Sequence, residues 1–113
     1  MSEKKPLKDD GDIKADNGKR RYDLIPIGAL EGIAEILTYG ARKYNDNNWL
    51  QSAYPDRYFA ACMRHLAEVR KGKHIDPESN CFHIDHALVS LIMYRELMIK
   101  NKTHINNSHY ESS

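Results

Sequence analysis

Apolar residues recur at intervals of three and four in three stretches, and no run alternates as a strand would, so helices are the elements this chain is built to form. In the first, after Pro26 and up to about Tyr44, Leu30, Ile33, Ala34, Leu37 and Ala41 share one stripe. Proline suits a first helical turn. Gly32 and Gly40 weaken this helix by ~1 kcal/mol each relative to alanine, and the run Asn45-Asp-Asn-Asn48 ends it. The second opens near Asp56, an N-cap candidate after Pro55, and closes at Gly72, with Phe59, Cys62, Met63, Leu66 and Val69 on its apolar face. The third runs from about Cys81 to Lys100 through Phe82, Leu88, Val89, Leu91, Ile92 and Leu97, and the turn Asp76-Pro-Glu-Ser79 is expected to cap it. The reading is an all-α fold: a small helical bundle of three main antiparallel helices.

Its core is small for 113 residues. Residues 1–17 carry too few large aliphatics to bury and are expected to be a disordered tail, and 101–113 a flexible one, leaving 18–100 as a single domain. About 80 ordered residues are marginal for one layer of helices. The bundle is therefore expected to be completed by oligomerisation, as a homodimer or homotetramer. Seventeen basic against sixteen acidic residues give a net charge of +1, which offers no general field for nucleic acid. No signal-peptide pattern opens the chain, and no apolar run approaches the ~20 residues of a membrane span. Two cysteines, Cys62 and Cys81, make no disulfide framework, so a cytoplasmic location is expected.

Ionisable residues interrupt all three apolar patterns. Glu31 and Glu35 stand four apart on one helical face, where like charges repel unless a cation lies between them. They form either a solvated edge or a pair directed at such a cation. The second stretch adds Arg64, His65 and Glu68; the third adds His83, Asp85 and His86. Cys81-x-His83-x-x-His86 lacks the four-ligand spacing of structural zinc. Carboxylates favour Mg2+ or Mn2+, and imidazoles tilt that choice towards Mn2+.

The ordered string YDLIP, ALE-x-x-AE, YGA-x-KY, NW, RHL, DPES and H-x-x-H, spanning about residues 18 to 97, resembles the small, often phage-encoded dATP/dGTP diphosphohydrolase family, related to the MazG-like all-α nucleoside triphosphate pyrophosphohydrolases. The resemblance implies hydrolysis of a purine deoxynucleoside triphosphate to monophosphate and pyrophosphate, with helical carboxylates holding divalent ions. Glu31 and Glu35 match the first carboxylate pair. Where the wider group has a second acidic pair, E-x-x-D, this chain has His83-x-x-His86 with Asp85 beside it. On this reading Glu31, Glu35, His83, Asp85 and His86 are the metal candidates, and Glu35 or Glu68 orients the attacking water. Lys19, Arg21, Lys43 and Arg64 are the candidate phosphate clamps. Trp49 is placed to stack on the base and Asn48 to read its edge. A non-catalytic nucleotide-binding protein is the alternative, keeping the basic and aromatic residues while metal is dispensable.

Overall fold

The computed structural model describes residues 17–101, so the expected tails fall outside the described residues apart from Asn17 and Asn101. Among the described residues, three α-helices carry the fold: α1 (Ile27–Lys43), α2 (Asp56–Arg70) and α3 (His83–Asn101). Two 3-10 turns, Tyr22–Leu24 and Asn48–Gln51, precede α1 and α2. The all-α reading holds, with one small addition. Strands β1 (Ile75–Asp76) and β2 (Cys81–Phe82) pair antiparallel between α2 and α3, Ile75 opposite Phe82 and Asp76 opposite Cys81. Two-residue strands are too short to display the alternation by which a strand is read. They delay α3 to His83, two residues after the expected start.

Local chemistry sets the helix ends. Pro26 is the N-cap of α1, extended at φ −64° and ψ 136°, and Ile27 takes the first helical position. Asp56 does not cap α2; Pro55 holds that position and no side chain bonds the free N–H groups. Gly72 stops α2 at φ +84°, a left-handed conformation that glycine adopts without penalty. Its N–H bonds the Val69 carbonyl while the Lys73 N–H bonds that of Glu68. Nor does the Asp76–Ser79 turn cap α3. Its hydrogen bonds close the β1–β2 connection, and the His83 N–H reaches the His74 carbonyl at 2.7 Å.

Helix α3 is the spine. It packs along α2 and against α1, while α1 and α2 hardly meet. The core gathers Ile36 of α1, Cys81 and Val89, with Ile33 and Met93 packed against them; Cys62, Ala87 and Leu97 are buried as well. Helix α1 buries Gly32 and Ile36, beside the expected stripe, of which Ile33 packs against the core; Asp85 of α3 lies directly against Gly32. A Cβ on Gly32 would sit 2.6 Å from the Asp85 Oδ1. Leu30 and Leu37 of that stripe stay exposed, as do Phe59, Met63 and Leu66 on α2 and Leu88 and Leu91 on α3. Within one chain the amphipathic faces are only half covered.

Candidate functional site

Helix α1, the segment leading to α2, and α2 itself enclose a cleft of about 1350 Å³, with residues of α3 closing it. Tyr39, Gly40 and Tyr44 line it from α1, and Asn48 and Trp49 from the 3-10 turn. Tyr54 faces it from just before α2, Arg57, Tyr58 and Arg64 from α2 itself, and His86, Ser90 and Met93 from α3. Asn47 lets the chain fold back over this space. It is left-handed at φ 55°, a region asparagine tolerates better than most residues. Arg57 and Arg64 are seven residues apart and so share a helix face. Ala60 and Ala61 lie between them on the wall. No carboxylate among the described residues pairs with either arginine.

Beside the cleft lies a polar network that ties α2, the hairpin and α3 together. His65 Nδ1 and His83 Nδ1 are 2.8 Å apart, and the His65 ring stacks on His86 at 4.6 Å between centroids and 9° between planes. His86 Nε2 meets the Ser79 hydroxyl at 2.6 Å and the Asp76 Oδ2 at 3.4 Å. Ser79 donates both its hydroxyl (2.7 Å) and its backbone N–H (3.1 Å) to that same Asp76 oxygen. Burial, the largest single influence, would raise the Asp76 carboxyl, but the two Ser79 bonds, His86 and the Glu78 N–H together hold the group below its usual value. Burial pushes His65 and His86 down, and neighbouring imidazoles push the same way. His65 engages its Nδ1 with His83, and the Ser79–Asp76 bonds brace the hairpin from within.

At the edge of the cleft, Lys43 Nζ lies 2.6 Å from Glu78 Oε2, and the Tyr39 hydroxyl donates to the same oxygen at 3.2 Å. The ammonium is also 5.8 Å from the Tyr39 ring centroid and 5.6 Å from that of Tyr44, within cation–π reach of both. The bond from Lys43, then that from Tyr39, lowers the Glu78 carboxyl, and Glu78 in turn raises Lys43.

The sequence-derived candidates divide accordingly. Asn48, Trp49, Arg64 and His86 line the cleft, and Lys43 borders it through Tyr39 and Tyr44. Lys19 is exposed outside it, and Arg21 makes a two-pronged pair with Asp23 at 2.8 Å. Glu68 is also outside the lining, its carboxylate bound to Lys71 at 3.1 Å. Glu31 and Glu35 are exposed on α1. Among the described residues no three His, Cys, Asp or Glu side chains converge as a group able to hold a metal ion. The two imidazoles named as ligands are engaged elsewhere, His83 with His65 and His86 with Ser79. Asp85 fits better: against Gly32, its carboxylate touches α1 between Glu31 and Glu35 in the chain, and Gly32 leaves the room. Hard oxygen donors of this kind suit Mg2+ or Mn2+. Sequence reasoning did not single out Arg57, Tyr39, Tyr54, Tyr58 or Glu78. The seven-residue spacing of Arg57 and Arg64 was the available signal for the first.

A helical scaffold whose cleft collects aromatic rings, amides and guanidinium groups suits a ligand that has both a flat ring and anionic groups. The family model described as dATP/dGTP diphosphohydrolase, N-terminal, matches residues 9–107. The chain belongs to that family, whose name gives a diphosphohydrolase activity. No curated protein and no solved structure matches the chain. No helix of the described residues is long and apolar enough to cross a membrane.

Proposed function

We propose that this protein hydrolyses purine deoxynucleoside triphosphates, dATP or dGTP, to the monophosphate and pyrophosphate, binding them in the cleft between α1 and α2. The observation that carries this is the joint presence in that cleft of Trp49 with four tyrosines and of Arg57 with Arg64, both arginines without a carboxylate partner among the described residues. Aromatic rings hold a base by stacking, and guanidinium groups take phosphate oxygens two at a time. Asn48 offers an amide to the base edge. Lys43 adds a point charge at the rim.

Water adds across the α–β phosphoanhydride: its oxygen bonds to phosphorus, the bridging P–O bond breaks, and pyrophosphate departs. Arg57 and Arg64 hold the negative charge that builds up on the phosphate oxygens. Glu31, Glu35 and Asp85 are the carboxylates that would contribute to a divalent-cation site, Mg2+ or Mn2+, although the three do not converge within one chain; such an ion would neutralise the triphosphate and lower the pKa of its water. Glu35 is the carboxylate assigned to orient the attacking water. The protein is proposed to act as a homo-oligomer, a reading supported by Ile27 and Met63 being 69% and 57% exposed while Leu30, Leu37, Phe59 and Leu66 also face solvent.

Binding without turnover is the second reading, favoured by the exposed, ungathered positions of Glu31 and Glu35. One experiment separates the two. Each deoxynucleoside triphosphate is incubated with the protein, with and without Mg2+ or Mn2+, and the products are resolved by chromatography. Monophosphate and pyrophosphate from a purine substrate support the enzyme. Retained nucleotide without products supports the binder, and neither outcome removes both.

A further inference from the structure

We infer that Tyr39 and Lys43 form an anion-binding pair at the rim of the cleft and that the carboxylate of Glu78 occupies it until a phosphate group displaces it. This deepens the proposed function and rests on it. The two donors lie four residues apart on α1, so they stand on one face a turn apart. Both point at a single oxygen, Glu78 Oε2, brought from 35 and 39 residues away in the chain. An ammonium and a phenol converging on one anionic oxygen make a receptor for any oxyanion, and phosphate oxygens are close in size and charge to the carboxylate now there.

The surroundings fit an occupant that comes and goes. The Glu78 carboxylate is held by Tyr39 and Lys43, while the backbone of its turn is fixed by the Ser79–Asp76 bonds, by the Asn80 N–H on the Asp76 carbonyl at 2.7 Å, and by Asn80 at φ 62°. Rotation about its side-chain bonds releases Lys43 without moving the hairpin. The pair is open to solvent, with Lys43 and Glu78 side chains 43% and 64% exposed, and exposed ion pairs are weak. A pyrophosphate or triphosphate, carrying several charges and already gripped by Arg57 and Arg64, outcompetes one exposed carboxylate. Until then Glu78 keeps Lys43 neutralised against other anions and in place between the rings of Tyr39 and Tyr44, both of which line the cleft. Glu78 is a gate for the phosphate end of the ligand.

The test uses inorganic pyrophosphate as probe, titrated calorimetrically in metal-free buffer against the full chain. Glu78→Gln removes the competing charge and keeps the side-chain shape, and is expected to tighten pyrophosphate binding about twofold to fivefold. Lys43→Met is expected to weaken it, and Glu78→Gln in the Lys43→Met background to add less than half of that gain. Equal affinity of Glu78→Gln and the wild type overturns the gate, as does a gain that persists in full without Lys43. Turnover of dATP by the wild type is followed in parallel. If dATP is cleaved and Glu78→Gln changes nothing, the gate fails and the function stands; if the coupled gain appears without cleavage, the gate stands and the enzyme reading fails.

Discussion

His65 Nδ1 and His83 Nδ1 share one hydrogen bond at 2.8 Å, which joins α2 to the first residue of α3. Only one of the two nitrogens can carry a hydrogen in that bond, so a proton on both rings breaks it. His65 also faces His86, Asp76 and Arg64; burial and then the two other imidazoles depress it, with Asp76 opposing. An imidazole titrates at about 6.5 in the unfolded chain, above its folded value here. As pH falls, the unfolded state takes the proton first. The stabilisation is therefore complete above about 6.5 and is lost as pH drops through the lower folded value. Thermal midpoints measured from pH 8 to pH 5 should fall across that window, and His65→Gln should flatten the slope.

The contact of Asp85 with Gly32 sets up a coupled pair. Alanine in place of a helical glycine gains ~1 kcal/mol from propensity alone. At residue 32 the new Cβ meets the Asp85 carboxylate at 2.6 Å, and overpacking of this kind costs about 1–3 kcal/mol. Gly32→Ala should therefore stabilise an Asp85→Ala background and fail to stabilise the wild type. Denaturant unfolding of the four proteins in the cycle reads the difference directly, and equal effects in both backgrounds would show that the contact carries no energy.

Glu31 and Glu35 are exposed, so removing their charge should cost the fold little. On the enzyme reading each Glu→Gln change should lower dATP turnover about 100-fold or more while the melting temperature stays near wild type. Activity that survives both substitutions would remove these carboxylates from the chemistry.

Trp49 is the one tryptophan of the chain and it lines the cleft, so fluorescence excited beyond tyrosine absorption reports on that place alone. Addition of dATP or dGTP should quench or shift the emission saturably. Arg57→Met and Arg64→Met should each weaken this titration about tenfold to hundredfold, the range for a lost charge-assisted hydrogen bond. Arg21→Met, altering an arginine outside the lining and paired with Asp23, should leave it unchanged. Emission indifferent to nucleotide would place the ligand elsewhere.

What could be read from the chain alone follows the range of the interactions involved. Helix periodicity, the glycine stop at residue 72 and the ordered motifs around YGA-x-KY and H-x-x-H are local, and they determined the three helices and the family. Asn48, Trp49 and Arg64 were legible as candidates because ring, amide and guanidinium chemistry travels with residue type. The burial of Gly32 on α1 was not, since Asp85 approaches it across more than fifty residues of chain. The partners of His83, His86 and Lys43 were not legible either. Each is met by a residue from another element, and only the folding of α3 against its neighbours brings those groups within hydrogen-bond distance. Residue type set what each side chain can do, and tertiary packing decided what it touches, because contacts between distant segments exist only once the backbone has closed on itself.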